Sequence, residues 1–170
     1  FGKYDQFRKD VPYSAIIQSF QGLIRQIISE SEKKIKVWRD KLIAALGPNG
    51  KVITDVIPEL ELIIHKQPDL PLLGPDESIN RFNLVFQNFI NVFMTEEHPL
   101  VLFLDDLQWA DQASLKLLEN LMTTYETKYL FLIGAYRDNE TNDAHPLTLS
   151  LNKIIQKGRK IHNIKLGPLD

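Results

Sequence analysis

Residues 100–118 read LVLFLDDLQWADQASLKLL, and their order of apolar and polar residues decides the fold. Leu100-Val101-Leu102-Phe103-Leu104 is apolar without alternation, as in a strand buried on both faces of a parallel sheet. The run stops at Asp105-Asp106, a residue type that leaves strands and enters turns. Asp111 stands where a helix N-cap is needed, since its short carboxylate can accept from the first free backbone N–H groups; Leu115, Leu117, Leu118 and Leu121 then supply the apolar face. Toward the C-terminus, YLFLIGAY at 129–136 predicts a second buried strand, closed by Arg137-Asp138-Asn139. A helix near Pro146 to Lys157 and a short strand through Ile161, Ile164 and Leu166 follow. Strand and helix alternating in this way specify an α/β parallel sheet.

Toward the N-terminus the period changes from strand to helix. Ile16, Ile17, Phe20, Leu23, Ile24, Ile27 and Ile28 recur at the three and four spacing of one helical face, with Ser14 as the cap. Ile35, Trp38, Leu42, Ile43 and Leu46 mark a second helix, which Gly47-Pro48-Asn49-Gly50 stops. Val52 to Ile64, broken by Pro58, reads as two short helical turns, and Gln67 to Asp76 as a Pro-rich loop. From about Asp76 to Phe93 a long helix carries the stripe Ile79, Phe82, Val85, Phe86, Phe89, Ile90 and Phe93. The opening FGKYDQFRKDVPY, broken at Pro12, is a strand end and loop. The organisation expected is therefore 1–13 strand end and loop, 14–96 helical segment, and 97–170 the α/β half.

Composition limits what such a domain can do. At 170 residues, 44% hydrophobic and 25% charged, the chain suits one folded domain rather than a disordered segment. Twenty basic residues against 22 acidic ones leave a formal charge of -2, so no bulk field draws this segment to nucleic acid. The absence of Cys excludes disulfide scaffolds, thiolate zinc sites and thiol catalysis. No apolar run is long enough to span a bilayer, so the expectation is a cytoplasmic protein without a membrane partner. The start at Phe1 and the end at Asp170 suggest a piece of something longer.

Ligands of open parallel sheets bind beyond the carboxyl ends of the strands, and both polar clusters fall there. Asp105 and Asp106, adjacent in extended chain, are expected to point in different directions and to take different tasks. A strand-end carboxylate offers Mg2+ the hard oxygen it prefers, with phosphate and water completing the shell. Arg137 offers a planar, permanent charge to a phosphate. Taken singly, Asp-Asp also fits a turn or cap and Arg-Asp-Asn a polar loop; their succession at two strand ends favours a site. His65, His98, His145 and His162 lack metal-pair spacing, and Lys33, Lys34 and Lys36, flanked by Glu30 and Glu32, read as a solvated helix face.

These segments together resemble a known family. LVLFLDDLQWADQASLKLL and YLFLIGAYRDNE are similar to the Walker B and sensor segments of P-loop ATPases of the STAND and AAA-like signalling class, in particular the ATPase module of multi-sensor signalling kinases. GKYDQFRKDVPYSAIIQSF and NRFNLVFQNFINVF extend that resemblance over essentially the whole chain. It implies a partial P-loop NTPase sheet with a helical segment between the first and second strands, and ATP with Mg2+ as cofactors. By position, Asp105 would be the Mg2+-associated acid, Asp106 the residue that polarises the attacking water, and Arg137 the sensor contact to nucleotide; Trp109 and Asp111 would pack and cap.

One departure stands out. A phosphate loop needs G-x-x-x-x-G-K-[ST], whose backbone amides cradle the phosphates. Here Gly2-Lys3 is followed by Tyr4 and GPNGK at 47–51 by Val52, so both read as strand-end and turn residues. The resemblance places that loop upstream of this segment, in a longer parent protein. The function expected is a Mg-ATP-binding regulatory module beside other signalling domains, with self-association through uncovered strands; the alternative is a non-catalytic scaffold that docks through the helical segment.

Overall fold

Three parallel strands form one sheet in the order β1-β2-β3: β1 is Gly2–Lys3, β2 Leu100–Asp105 and β3 Leu130–Gly134. The computed structural model describes residues 1–7, 11–124 and 127–167; residues 8–10 of the expected N-terminal loop and 168–170 at the expected C-terminal end lie outside them. Between β1 and β2 runs the helical segment: α1 (Ser14–Ile28), α2 (Glu32–Leu46), α3 (Gly50–Thr54), α4 (Glu61–Ile64) and α5 (Pro75–Asn91). After β2 come α6 (Gln112–Thr123), β3 and α7 (Pro146–Gln156). The architecture is the α/β parallel sheet of a partial P-loop NTPase-like fold, with the helical segment between the first and second strands as expected.

An aromatic cluster holds the helical segment together. Phe20 of α1 meets Phe86, Phe89 and Phe93 with ring centroids 6.0, 5.3 and 5.7 Å away, and Trp38 of α2 reaches Phe93 at 5.4 Å. Val85, Phe86, Phe89 and Ile90 of the α5 stripe are buried, each such side chain stabilising the fold by roughly 1.5–3 kcal/mol. Ile79 departs from the expected stripe, being 54% exposed in the first turns of α5. Ile43 of α2 likewise faces solvent. Helix α1 is not capped by Ser14: that residue is already helical, and Tyr13 takes the N-cap position in left-handed conformation, φ 62°, with no side-chain cap. Gly47 does stop α2, at φ 51°, a conformation glycine adopts without strain.

A polar knot ties the two halves together. Asp111 caps α6 as expected, its Oδ1 accepting from the Ser114 N–H at 2.8 Å. Its Oδ2 accepts both the Ser114 hydroxyl and, at 3.2 Å, the Tyr13 N–H at the start of α1. The cap of one helix therefore also serves a free donor of the other.

The sheet itself differs from the sequence expectation. Leu102 and Leu104 are buried on the face that α1 covers, but Val101 and Phe103 point to the opposite face, where Phe1 stacks on Phe103 at 5.5 Å. Strand β2 is thus buried on one face among the described residues. Strand β3 is not a buried strand either: it is the sheet edge, with Phe131 62% exposed and Ile133 and Tyr136 also open. No strand forms through Ile161 to Leu166; residues 159–167 carry no regular structure, and Ile164 is 85% exposed. Unbroken apolar runs report that both faces prefer cover, not that this segment supplies it.

Candidate functional site

The carboxyl edge of the sheet gathers charged groups from the ends of all three strands. Parallel register sets Lys3 directly beside Asp105, so their side chains leave the sheet on the same face, and Lys3 Nζ lies 3.0 Å from Asp105 Oδ2. The backbone reinforces this placement, because the Tyr4 N–H donates to the Asp105 carbonyl at 3.1 Å. Asp106 then turns back: at φ 53° and ψ 43° it is left-handed, a conformation Asp tolerates better than most residues. That turn brings its Oδ2 to 2.9 Å from the same Lys3 Nζ. The expectation that the two adjacent carboxylates diverge is corrected here, because Asp106 is not extended and both acids converge on one ammonium.

Their surroundings differ even so. Asp106 is nearly buried, with 9% of its side chain exposed against 53% for Lys3. Gln108 Nε2 donates to Asp106 Oδ1 at 3.1 Å, while Gln108 Oε1 accepts the Arg137 backbone N–H at 3.3 Å, so one buried amide joins the ends of β2 and β3. Asp105 Oδ1 accepts the Asp106 N–H at 2.9 Å. Lys3 and, more weakly, Gln108 and Arg137 hold the Asp106 carboxyl below the usual carboxylate range. Lys3 is raised in turn by Asp106 and then Asp105.

Arg137 stands at the end of β3 as expected, with its Nε 3.8 Å from Asp106 Oδ1. Its guanidinium lies 5.6 Å from the Trp109 ring centroid and binds Glu140 at 3.0 Å. Trp109 therefore packs under Arg137, at the end of a short 3-10 turn over Leu107–Trp109. Sequence reading missed Lys3 and Gln108. The first reads as a strand-end residue in sequence, and 102 positions separate it from Asp105. The second carried a signal in its spacing, two residues after Asp106 in a turn.

Chemically, the edge presents two carboxylates, one ammonium and one guanidinium. Among the described residues no group of three His, Cys, Asp or Glu side chains is placed to hold a metal, so the described edge offers Asp105 and Asp106 as its two acids. That donor set suits Mg2+, which keeps waters and phosphate oxygens in its shell. The acids also already attract a cation, in the form of Lys3. Two clefts, of about 420 Å3 beside Ala45 and Asn88 and about 340 Å3 beside Phe20 and Leu100, lie away from this edge. The second is at the opposite end of β2 from Asp105.

Comparison with known proteins decides the family. The AAA ATPase domain model matches residues 1–133, well over half of the chain. The chain belongs to the AAA ATPase domain family. This AAA ATPase domain carries Lys3, Asp105, Asp106 and Gln108 inside the matched stretch, and Arg137 just beyond it. It is 47% identical over 121 residues to the Hybrid signal transduction histidine kinase G of Dictyostelium discoideum, a match covering 71% of the chain and 4% of that kinase. It is 24% identical over 119 residues to Histidine protein kinase 1 of Candida albicans, covering 62% of the chain and 5% of the relative. The AAA ATPase domain thus spans only a small fraction of the length of either relative. No solved structure matches it. No helix among the described residues is long and apolar enough to cross a membrane.

Proposed function

We propose that this AAA ATPase domain binds ATP with Mg2+ and acts as a regulatory ATPase module of a larger cytoplasmic signal-transduction protein. The observation that carries the reading is the convergence of Asp105, Asp106 and Arg137 on the carboxyl edge of a parallel sheet, where such sheets bind ligands. Asp105, the more open acid, would hold Mg2+, which would supply neutralisation of phosphate charge. Asp106, nearly buried and kept ionised, is the residue that orients and polarises the attacking water. Arg137 steadies developing negative charge on the phosphates, its plane set by Trp109 and Glu140.

The residues present fit the metal and the end of a polyphosphate, but a phosphate cradle of the glycine-rich kind is not among the 170 residues. In this reading it comes from sequence N-terminal to Phe1 in the parent protein. The signalling context is supported by the two histidine kinases that contain similar segments. Neighbouring domains of the parent would then be the partners that read the nucleotide state.

Calorimetry with Mg-ATP tests this on the chain and on a polypeptide extended N-terminally by about 60 residues, enough for a strand, loop and helix. Binding is expected only in the longer one. There Asp106→Asn, which tolerates the left-handed backbone, is expected to keep binding and lose hydrolysis by about a hundredfold. Absence of binding in both would remove the nucleotide reading and leave an interaction scaffold.

A further inference from the structure

We infer that Lys3 is the resident counter-cation of the Asp105–Asp106 pair, and that a divalent cation enters this site by displacing it. The inference rests on the Mg2+ reading above and assigns a residue which that reading does not use. Its basis is the contrast between how Lys3 is anchored and how its ammonium is held.

The backbone of Lys3 is clamped. On one side Gly2 lies so close to α1 that a Cβ there would run into the Ala15 carbonyl oxygen and come within 2.5 Å of Ser19 Oγ. On the other, Tyr4 is fully buried. Between them the Lys3 N–H donates to Gln18 Oε1 at 3.0 Å, and register fixes the residue beside Asp105. The side chain, however, is half exposed, so its ammonium can leave for water at little desolvation cost.

Asp106 has no such freedom. Its carboxylate is nearly buried, and without Lys3 its remaining partners are the neutral Gln108 amide and Arg137 at 3.8 Å. A buried carboxylate left in that state is unfavourable, so a departing ammonium has to be replaced by another cation. The two acids and one ammonium thus form an exchange site. Lys3 holds the two carboxylates close together while no metal is bound, and its presence sets how tightly a divalent ion must bind to take the position. The ammonium released by exchange stays on the same edge as Arg137, where it is available to a phosphate.

The test is Mn2+ binding to the full chain without nucleotide, read by electron paramagnetic resonance, beside labelling of Lys3 by an amine-reactive reagent. Lys3→Met keeps the backbone contacts and is expected to bind Mn2+ roughly fivefold more tightly or better, the change that loss of one competing ion pair gives. Lys3→Arg is expected to restore the weaker affinity. In the unaltered chain, Mg2+ is expected to speed labelling of Lys3 several-fold, and in Asp106→Asn labelling is fast with or without metal. If Lys3→Met binds Mn2+ no better than the unaltered chain, while Asp105→Asn abolishes binding, Lys3 is merely structural and this inference falls with the Mg2+ reading intact. If Mn2+ binds to none of the proteins, or binds Asp105→Asn and Asp106→Asn as tightly as the unaltered chain, the metal reading falls and the inference with it.

Discussion

Asp106 concentrates the chemistry of this domain because three opposed demands meet on one side chain. Burial favours its neutral form, whereas Lys3 and the Gln108 amide favour the charged one, and the charged form prevails. A carboxyl lowered in the folded state stabilises the fold above its ordinary value, about pH 3.9, and loses that contribution as pH falls through the still lower folded value. Lys3 is raised, so its share is complete below about pH 10.4 and is lost as pH rises through the higher folded value. Asp106→Asn is therefore expected to lower the thermal midpoint by a steady amount from about pH 5 to about pH 9, with the difference closing below about pH 4. Melting curves across that range check it, and a difference that persists unchanged at pH 2–3 would contradict the ion-pair account.

At the scale of elements, the helical segment is a packing unit built around Phe20. That ring is buried and touches three phenylalanines from α5 and its C-terminal extension, so its truncation leaves a cavity that rigid helices cannot close. Phe20→Ala is expected to cost about 3–5 kcal/mol, a large part of the roughly 5–15 kcal/mol that a domain of this kind possesses. Ile79→Ala, on the exposed start of α5, is expected to stay within about 0.5 kcal/mol. Urea unfolding of the two variants separates them. Equal losses would mean that Ile79 is packed as closely as Phe20.

Viewed whole, the molecule has a sheet with one finished face. Phe1, Val101, Phe131 and Ile133 are exposed around Phe103 on the other, and an apolar surface of this kind drives association. The isolated chain is expected to self-associate with rising concentration in sedimentation velocity, and Phe131→Lys to reduce that association. A chain that stays monomeric across the accessible concentration range would contradict this. The same face bears Lys3 and Asp105 at its carboxyl end, so whatever covers the sheet lies next to the candidate site.

Element types were legible in the sequence because they depend on local period and punctuation. The three and four spacing of α1 and α5, the Asp111 cap and the unbroken run of β2 are properties of neighbouring residues, and each reappears in the structure. The placement of Asp105, Asp106 and Arg137 at strand ends was legible for the same reason, since a parallel strand directs its end residues to one edge. Lys3 was not legible, because 102 residues separate it from the acid it binds and only strand pairing brings them together. Nor was the convergence of the two acids, which needs a left-handed Asp106 held by Gln108. The uncovered sheet face was hidden for a related reason. Local sequence determined which residues are apolar and how they repeat, but long-range packing decided which of them found a partner.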